Sequence, residues 1–451
     1  MKRYNMRKLF IFIYCLSFSA PVFAVQDTLK MDFATAVNLA LEANLDYQIQ
    51  SNQQEVLKKE KQTALASHFP SVNVGTTFSR QSGQQFQQIE GEIVVTNVTN
   101  EIISGGLNLE MPLFNSGRRI FDTQSSKLAW EAGEMGLERA AQQVVFDVAR
   151  RYLQVLLDKE LLRIANENLE NQKALLEQIT GFTEAGLRTL ADQYNQQSEV
   201  ARVESTVVDA EIQYENDLWD LSEYLQLEPG VIPDIIEVDP AVNSMSYEGM
   251  STVELYDIAL GNRVDIKQQE LLTNSAEKSL KANKAMYYPR LNAFYNYSTF
   301  FTSLDDRSIQ EQLLTIYPQN NLGMRLSIPI FNNLNNRLNV TRSRVQLKNQ
   351  ELRKEALDRS IYQDVRLANQ NYQAAIRKEK NTRVQVVAAE EAQTAVSERF
   401  RLGLSNFVDL STANQQLVAA KGDAAQAIYT LFFQEVIMRH ALGTLNPLGI
   451  E

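Results

Sequence analysis

Leu107-Asn108-Leu109-Glu110-Met111-Pro112-Leu113-Phe114-Asn115 returns 217 residues later as Met324-Arg325-Leu326-Ser327-Ile328-Pro329-Ile330-Phe331-Asn332. Apolar and polar residues alternate in both stretches up to a proline, the period of a strand with one apolar and one polar face. Outward from this pair, Gly186-Leu187 returns at the same spacing as Gly403-Leu404. Ala40-Leu41, Leu45-Asp46 and Pro70 return at a spacing of 219 as Ala259-Leu260, Val264-Asp265 and Pro289. The landmarks keep their order and the spacing is far longer than a solenoid repeat, so the chain reads as a duplication of one large unit. We divide it into an export signal over 1–24, a first repeat over 25–230, an inter-repeat segment over 231–250 and a second repeat over 251–451.

Within each repeat the prolines punctuate the text. Residues 33–67 and 252–287 are helical in composition and stop beside Pro70 and Pro289, where helix continuation is sterically opposed. A strand pair then follows. Val72, Val74 and Phe78 alternate with polar neighbours ahead of the 107–113 stretch, and Leu291, Ala293, Tyr295 and Tyr297 do so ahead of Leu322–Ile328. The expectation is four strands of about 9 to 11 residues, a length that suits a tilted membrane strand, with polar loops over 80–104 and 303–321. Pro70, Pro112, Pro289 and Pro329 mark their boundaries. Periodicity alone fits a soluble sheet capping a helical domain as well.

Proline-free helical runs come next, over 117–179 and 334–400. Val148, Val155, Leu162, Leu169 and Leu176 recur every seven residues with Tyr152 in the seam, a pattern for lengthwise packing. Each run ends in a glycine-bearing turn and a return helix, over 189–227 and 407–443. Pro229, Pro233 and Pro240 make 228–250 an irregular connection.

Composition narrows the function. Gly (18) and Pro (10) are scarce in 451 residues, which disfavours turn-rich sandwiches and propellers. Lys2, Arg3, Arg7 and Lys8, an apolar run and Val22-Phe23-Ala24 form a secretory signal. Its removal leaves 40 basic against 55 acidic residues, a formal charge of −15, unsuited to nucleic acid or anionic lipid as main partner. The one cysteine, Cys15, lies inside the signal away from a lipid-attachment position, so the exported chain has no thiol. No later stretch has the 18 or so apolar residues of a spanning helix, so any membrane span must be made of strands. Phosphate loops, dinucleotide fingerprints, zinc-binding His pairs and nucleophile elbows are absent from the sequence. His68 and His440 sit at opposite ends of the repeats, and the helix carboxylates read as solvated faces. No enzyme, metal or cofactor is expected.

Four strands cannot close a barrel, and open edges are not tolerated in hydrocarbon. Three chains would supply twelve. Together with Asn262-Arg263-Val264-Asp265-Ile266, Gly403-Leu404-Ser405-Asn406-Phe407-Val408-Asp409 and Ala441-Leu442-Gly443-Thr444-Leu445-Asn446, this organisation resembles the TolC family of outer-membrane efflux and secretion channels over nearly all of the exported chain. The resemblance implies a mainly α fold with a membrane β part: a homotrimer whose twelve-stranded barrel is continuous with an α-helical barrel in the periplasm. It also implies a periplasmic adaptor and an inner-membrane transporter of the RND or ABC class. The rival from another class is a periplasmic coiled-coil protein with a small soluble sheet.

By position, the family's adaptor-facing tips fall on Gly186, Leu187 and Arg188 and on Gly403, Leu404 and Ser405. Of its gate residues, the outer aspartate falls on Asp192 and the first aspartate ring on Asp409. The tyrosine position holds Phe400, the arginine position Ser405 and the second ring position Thr412, so the closing network of the family is not kept as such. Arg188, Arg399 and Arg401 are the candidate substitute partners for Asp192. A ring of Asp409 copies predicts cation selectivity.

Overall fold

The computed structural model describes residues 29–89, 91–237 and 247–445. The expected export signal over 1–24, much of the expected inter-repeat connection and Asn446 lie outside the described residues. The first repeat runs β1 (Leu29–Met31), α1 (Phe33–Ala43), α2 (Leu45–Ala66), β2 (Ser71–Ile89), β3 (Glu92–Phe114), α3 (Arg118–Glu184) and α4 (Leu190–Tyr224). The strand β4 (Pro233–Ile235) follows. The second repeat runs α5 (Thr252–Asn262), α6 (Val264–Lys284), β5 (Arg290–Thr302), a short turn of helix α7 (Ile309–Glu311), β6 (Gln319–Ser327), α8 (Asn335–Arg401) and α9 (Phe407–Leu442).

Each expected leading helix is in fact two. Asn44 is extended and its side-chain oxygen accepts from Tyr47 N at 2.9 Å, so a capping residue inside a helical composition ends α1 and starts α2. In the second repeat the break is Arg263, which is extended and buried. Its guanidinium pairs with Asp265 at 2.6 Å and with Asp364 of α8 at 3.3 Å, and donates to the Ala441 carbonyl of α9 at 3.3 Å. Gly443 lies against this corner with φ 73°, and a Cβ there would come within 2.9 Å of Arg263 Cα. The two motifs at opposite ends of the second repeat are thus one structural contact.

α3 and α8 are each 67 residues, roughly 100 Å of helix. Each pairs with its return helix, α4 or α9. Val148, Val155 and Leu169 of the heptad seam are buried, while Leu162 and Leu176 pack against the same apolar clusters or their edges. The largest core cluster gathers Met31, Val148, Tyr152, Leu156, Leu221 and Ile235 from α3, α4, β1 and β4. Part of the connection expected to be irregular is therefore strand: β4 pairs in parallel with β1, Met31 opposite Ile235. The Tyr152 hydroxyl donates to the Ile236 carbonyl at 2.7 Å and locks this small sheet onto α3.

The four long strands form one antiparallel sheet in the order β2-β3-β5-β6. Its register puts Val72, Leu109, Tyr295 and Leu322 in one row and Asn73, Asn108, Asn296 and Asn321 in the next, on the opposite face. The apolar face is bare in the single chain: Val74 is 79% and Leu322 78% exposed. The outer edges of β2 and β6 have no strand partner among the described residues.

Strand length departs from expectation. β2 and β3 have 19 and 23 residues and stay paired from Ser71 opposite Glu110 to Ile89 opposite Glu92, so the expected loop over 80–104 is ladder. Backbone pairing persists after the side-chain alternation fades, since the ladder needs no apolar face. The ribbon passes the last β5 pair, Ile102 opposite Thr302. The second loop folds into a knob instead. Gln312 is fully buried there, its Oε1 accepting from Thr302 N at 3.0 Å and its Nε2 donating to the Asp305 and Arg307 carbonyls at 3.0 and 2.8 Å. Pro70 and Pro289 stand just before β2 and β5, and Pro329 just after β6. Pro112 lies within β3, at an irregularity in its pairing with β5, where a missing N–H is tolerated.

Candidate functional site: the helical hairpin tips

The two tips are built alike because the same stop signal occurs twice. Gly186 and Gly403 adopt φ of 75° and 77°, a left-handed conformation that L side chains resist. Leu187 N then donates to the Phe182 carbonyl and Leu404 N to the Arg399 carbonyl, both at 2.8 Å, which closes the Schellman pattern that ends α3 and α8. Thr189 and Asn406 cap the return helices, each accepting from the backbone N–H three residues on. Leu187 and Leu404 project from the turns, 71% and 66% exposed.

The aspartates differ. Asp192 closes a capping box with Thr189, receiving the Thr189 hydroxyl at 2.9 Å. Asp409 occupies the same position in α9, is exposed, and its carboxylate has no hydrogen-bond partner among the described residues. Thr412 donates to the Val408 carbonyl at 2.8 Å. Ser405 Oγ lies 3.4 Å from the Val396 carbonyl.

Within the single chain the tip arginines have other partners than Asp192. Within the chain Arg401 pairs with Glu398 at 2.9 Å. Arg188 reaches across to the other hairpin: its guanidinium lies 4.0 Å from the centre of the Phe400 ring, and Nη2 donates to the Phe400 carbonyl at 2.6 Å. Among the described residues no ion pair joins Asp192 to Arg188, Arg399 or Arg401. Phe400 itself is buried with Ile179 of α3 and Leu410 of α9, edged by Leu175, Val396 and Phe407. Phe400 is thus the apolar joint between the hairpins. The residues that make this joint were visible as an arginine two places after one tip glycine and an aromatic three places before the other, but nothing in the sequence paired them.

A sequence profile described as "Outer membrane efflux protein" matches residues 36–225 and again 255–444. The chain belongs to this family. Outer membrane protein TolC of Salmonella enteritidis is 22% identical over 390 residues, 84% of this chain and 74% of that protein. Outer membrane protein TolC of Vibrio cholerae is 22% identical over 350 residues, 77% of this chain and 78% of that protein. Among solved structures, the CusC channel superposes with a TM-score of 0.78 at 18% identity, over 92% of this chain and 93% of that one. The outer membrane protein VceC of Vibrio cholerae gives 0.76 at 14% identity, over 91% and 96%. The Neisseria gonorrhoeae MtrE channel, in its open state, gives 0.75 at 17% identity, over 92% and 90%. The fold is that of the TolC-like channel-tunnels.

No helix among the described residues is long and apolar enough to cross a membrane, and no group of three His, Cys, Asp or Glu residues there could hold a metal. His68 Nε2 lies 3.0 Å from Thr123 Oγ1. His440 stacks on Phe146 at 4.6 Å. Burial, with Arg139 and Arg263 nearby, pushes the His440 pKa down to about 3.

Proposed function

We propose that this chain is the outer-membrane duct of an export machine, a homotrimer gated at its periplasmic tips. The observation that carries this reading is the sheet: its apolar face is bare, its polar face is lined by asparagines, and both edges are open. Three copies join β6 of one chain to β2 of the next, and twelve strands form a closed barrel in lipid with no free edge. Six helical hairpins then continue the barrel into the periplasm, and the export signal over 1–24 is cleaved on the way out.

The exposed leucines at both tips, Leu187 and Leu404, flanked by Gly186, Arg188, Gly403 and Ser405, are the docking points for a periplasmic adaptor, standing at the end of the helices farthest from the sheet. Work comes from an inner-membrane transporter of the RND or ABC class, and the adaptor shifts the tips to the open state by binding it better. Phe400 sets the closed geometry of the gate, while Asp409, backed by Thr412, faces the passage.

Outer-membrane fractionation, cross-linking in mild detergent and planar-bilayer conductance test the reading. The expected result is a membrane-bound trimer with small cation-selective conductance; a soluble monomer without conductance overturns it in favour of a coiled-coil protein with a small sheet. Asp409→Asn is expected to lower the cation-to-anion permeability ratio several-fold, as removal of three clustered charges from one constriction requires. A reversal potential unchanged by this substitution removes Asp409 from the passage.

A further inference from the structure

We infer that Arg188 is the latch that holds the two hairpin tips of each chain together and keeps the gate shut. This rests on the channel reading and assigns a positioning residue to its gate. Three interactions converge on one side chain. The guanidinium covers the Phe400 ring at 4.0 Å, the open face of an otherwise enclosed aromatic. Nη2 donates at 2.6 Å to the Phe400 carbonyl, which also accepts from Gly403 N at 3.0 Å. That carbonyl belongs to the last turn of α8, so the cation also sits where the helix dipole is negative.

The latch has a mechanical consequence because of what it bridges. Arg188 stands in the first tip turn and Phe400 at the foot of α8, and the apolar joint of Ile179, Phe400 and Leu410 lies between the hairpins. Parting the tips exposes that joint and strips the arginine of ring and carbonyl together. Arg188 is also the immediate neighbour of the exposed Leu187, so a partner that engages this turn touches the latch directly. Asp192 takes no part: its carboxylate is held by Thr189 within its own helix start.

Single-channel recording of the purified trimer, with Arg188→Ala, Arg188→Lys and Phe400→Leu, tests the inference. Arg188→Ala is expected to raise the open fraction of the unliganded channel by roughly tenfold, the scale of one charge-assisted hydrogen bond and one cation–π contact. Arg188→Lys, which keeps the charge and a donor, is expected to restore part of the closure. Phe400→Leu keeps the joint filled, and adding Arg188→Ala to it should produce much less than the product of the two single effects. Amide hydrogen exchange over residues 396–407 is read in parallel and is expected to quicken in Arg188→Ala. A wild-type protein that does not form a conducting trimer defeats the channel reading itself. A conducting trimer whose open fraction is unchanged by Arg188→Ala, or multiplicative effects in the double variant, overturns the latch, whatever the exchange shows.

Discussion

The two repeats agree at one end and differ at the other. Their helical tips share the left-handed glycine, the closing hydrogen bonds and the capped return helix. Their strand pairs end as a long two-stranded ribbon in the first repeat and a tied knob around Gln312 in the second. A helix that must reverse has few solutions, because its last carbonyls need partners and its turn needs a positive φ. A hairpin has no such fixed stop, since adding a pair of residues merely extends the ladder. Duplication therefore left the tips alike and let the opposite ends drift.

The sharpest contrast within this comparison is at the end of the return helices. Gly443 and its counterpart Gln226 both have positive φ, 73° and 53°, but only Gly443 lies against the backbone of Arg263. Gly443→Ala is expected to cost about 3 kcal/mol or more, from the left-handed penalty and a backbone clash, seen as a large drop in thermal midpoint. Gln226→Gly should be neutral or stabilise by up to about 1 kcal/mol. Equal effects at the two sites would break the argument that packing, not turn chemistry alone, selects the glycine.

Acid should separate the repeats next. His440 is half-buried and neutral in the fold, desolvation pushing its pKa from 6.5 to about 3, whereas its counterpart Glu223 is exposed. Below 6.5 the unfolded chain binds a proton that the folded chain refuses, so stability falls as pH drops through this window and is regained as pH rises above it. The loss is about 1.4 kcal/mol per pH unit while the folded group stays neutral. Thermal midpoints between pH 6.5 and 4.5 should fall less steeply in His440→Leu than in the parent; parallel slopes would remove His440 as the cause.

The smallest effects are expected at the outer ends, and they should still be unequal. Gln312→Ala removes three hydrogen bonds from a buried side chain and is expected to cost about 2 kcal/mol locally, read as faster amide exchange at Thr302. Deleting the paired residues 82–85 and 96–99 shortens the ribbon without changing which face each residue occupies. Its effect on stability should stay within about 0.5 kcal/mol. A large loss there would mean that the ribbon is held by more than its own ladder.

Much of this was legible before the fold was seen, for identifiable reasons. The tip glycines, the heptad seam and the strand alternation are local signals, each fixed by backbone geometry within one element. The breaks at Asn44 and Arg263 were hidden because each sits in a helical composition, and one of them is made by partners on α8 and α9. The ribbon is not legible in the alternation, which reports burial of a face, while hydrogen-bond pairing continues without it.

The sequence by itself determined the duplication, the places where helices stop, and the two-faced strands, because these follow from periodicity and from residues that can or cannot adopt a given φ. Only the tertiary structure decided which side chains meet. Arg188 and Phe400 are 212 residues apart, and the choice between an aspartate four residues away and an aromatic on the other hairpin was made by packing, which closed the Phe400 joint and left its ring face and carbonyl within the arginine's reach.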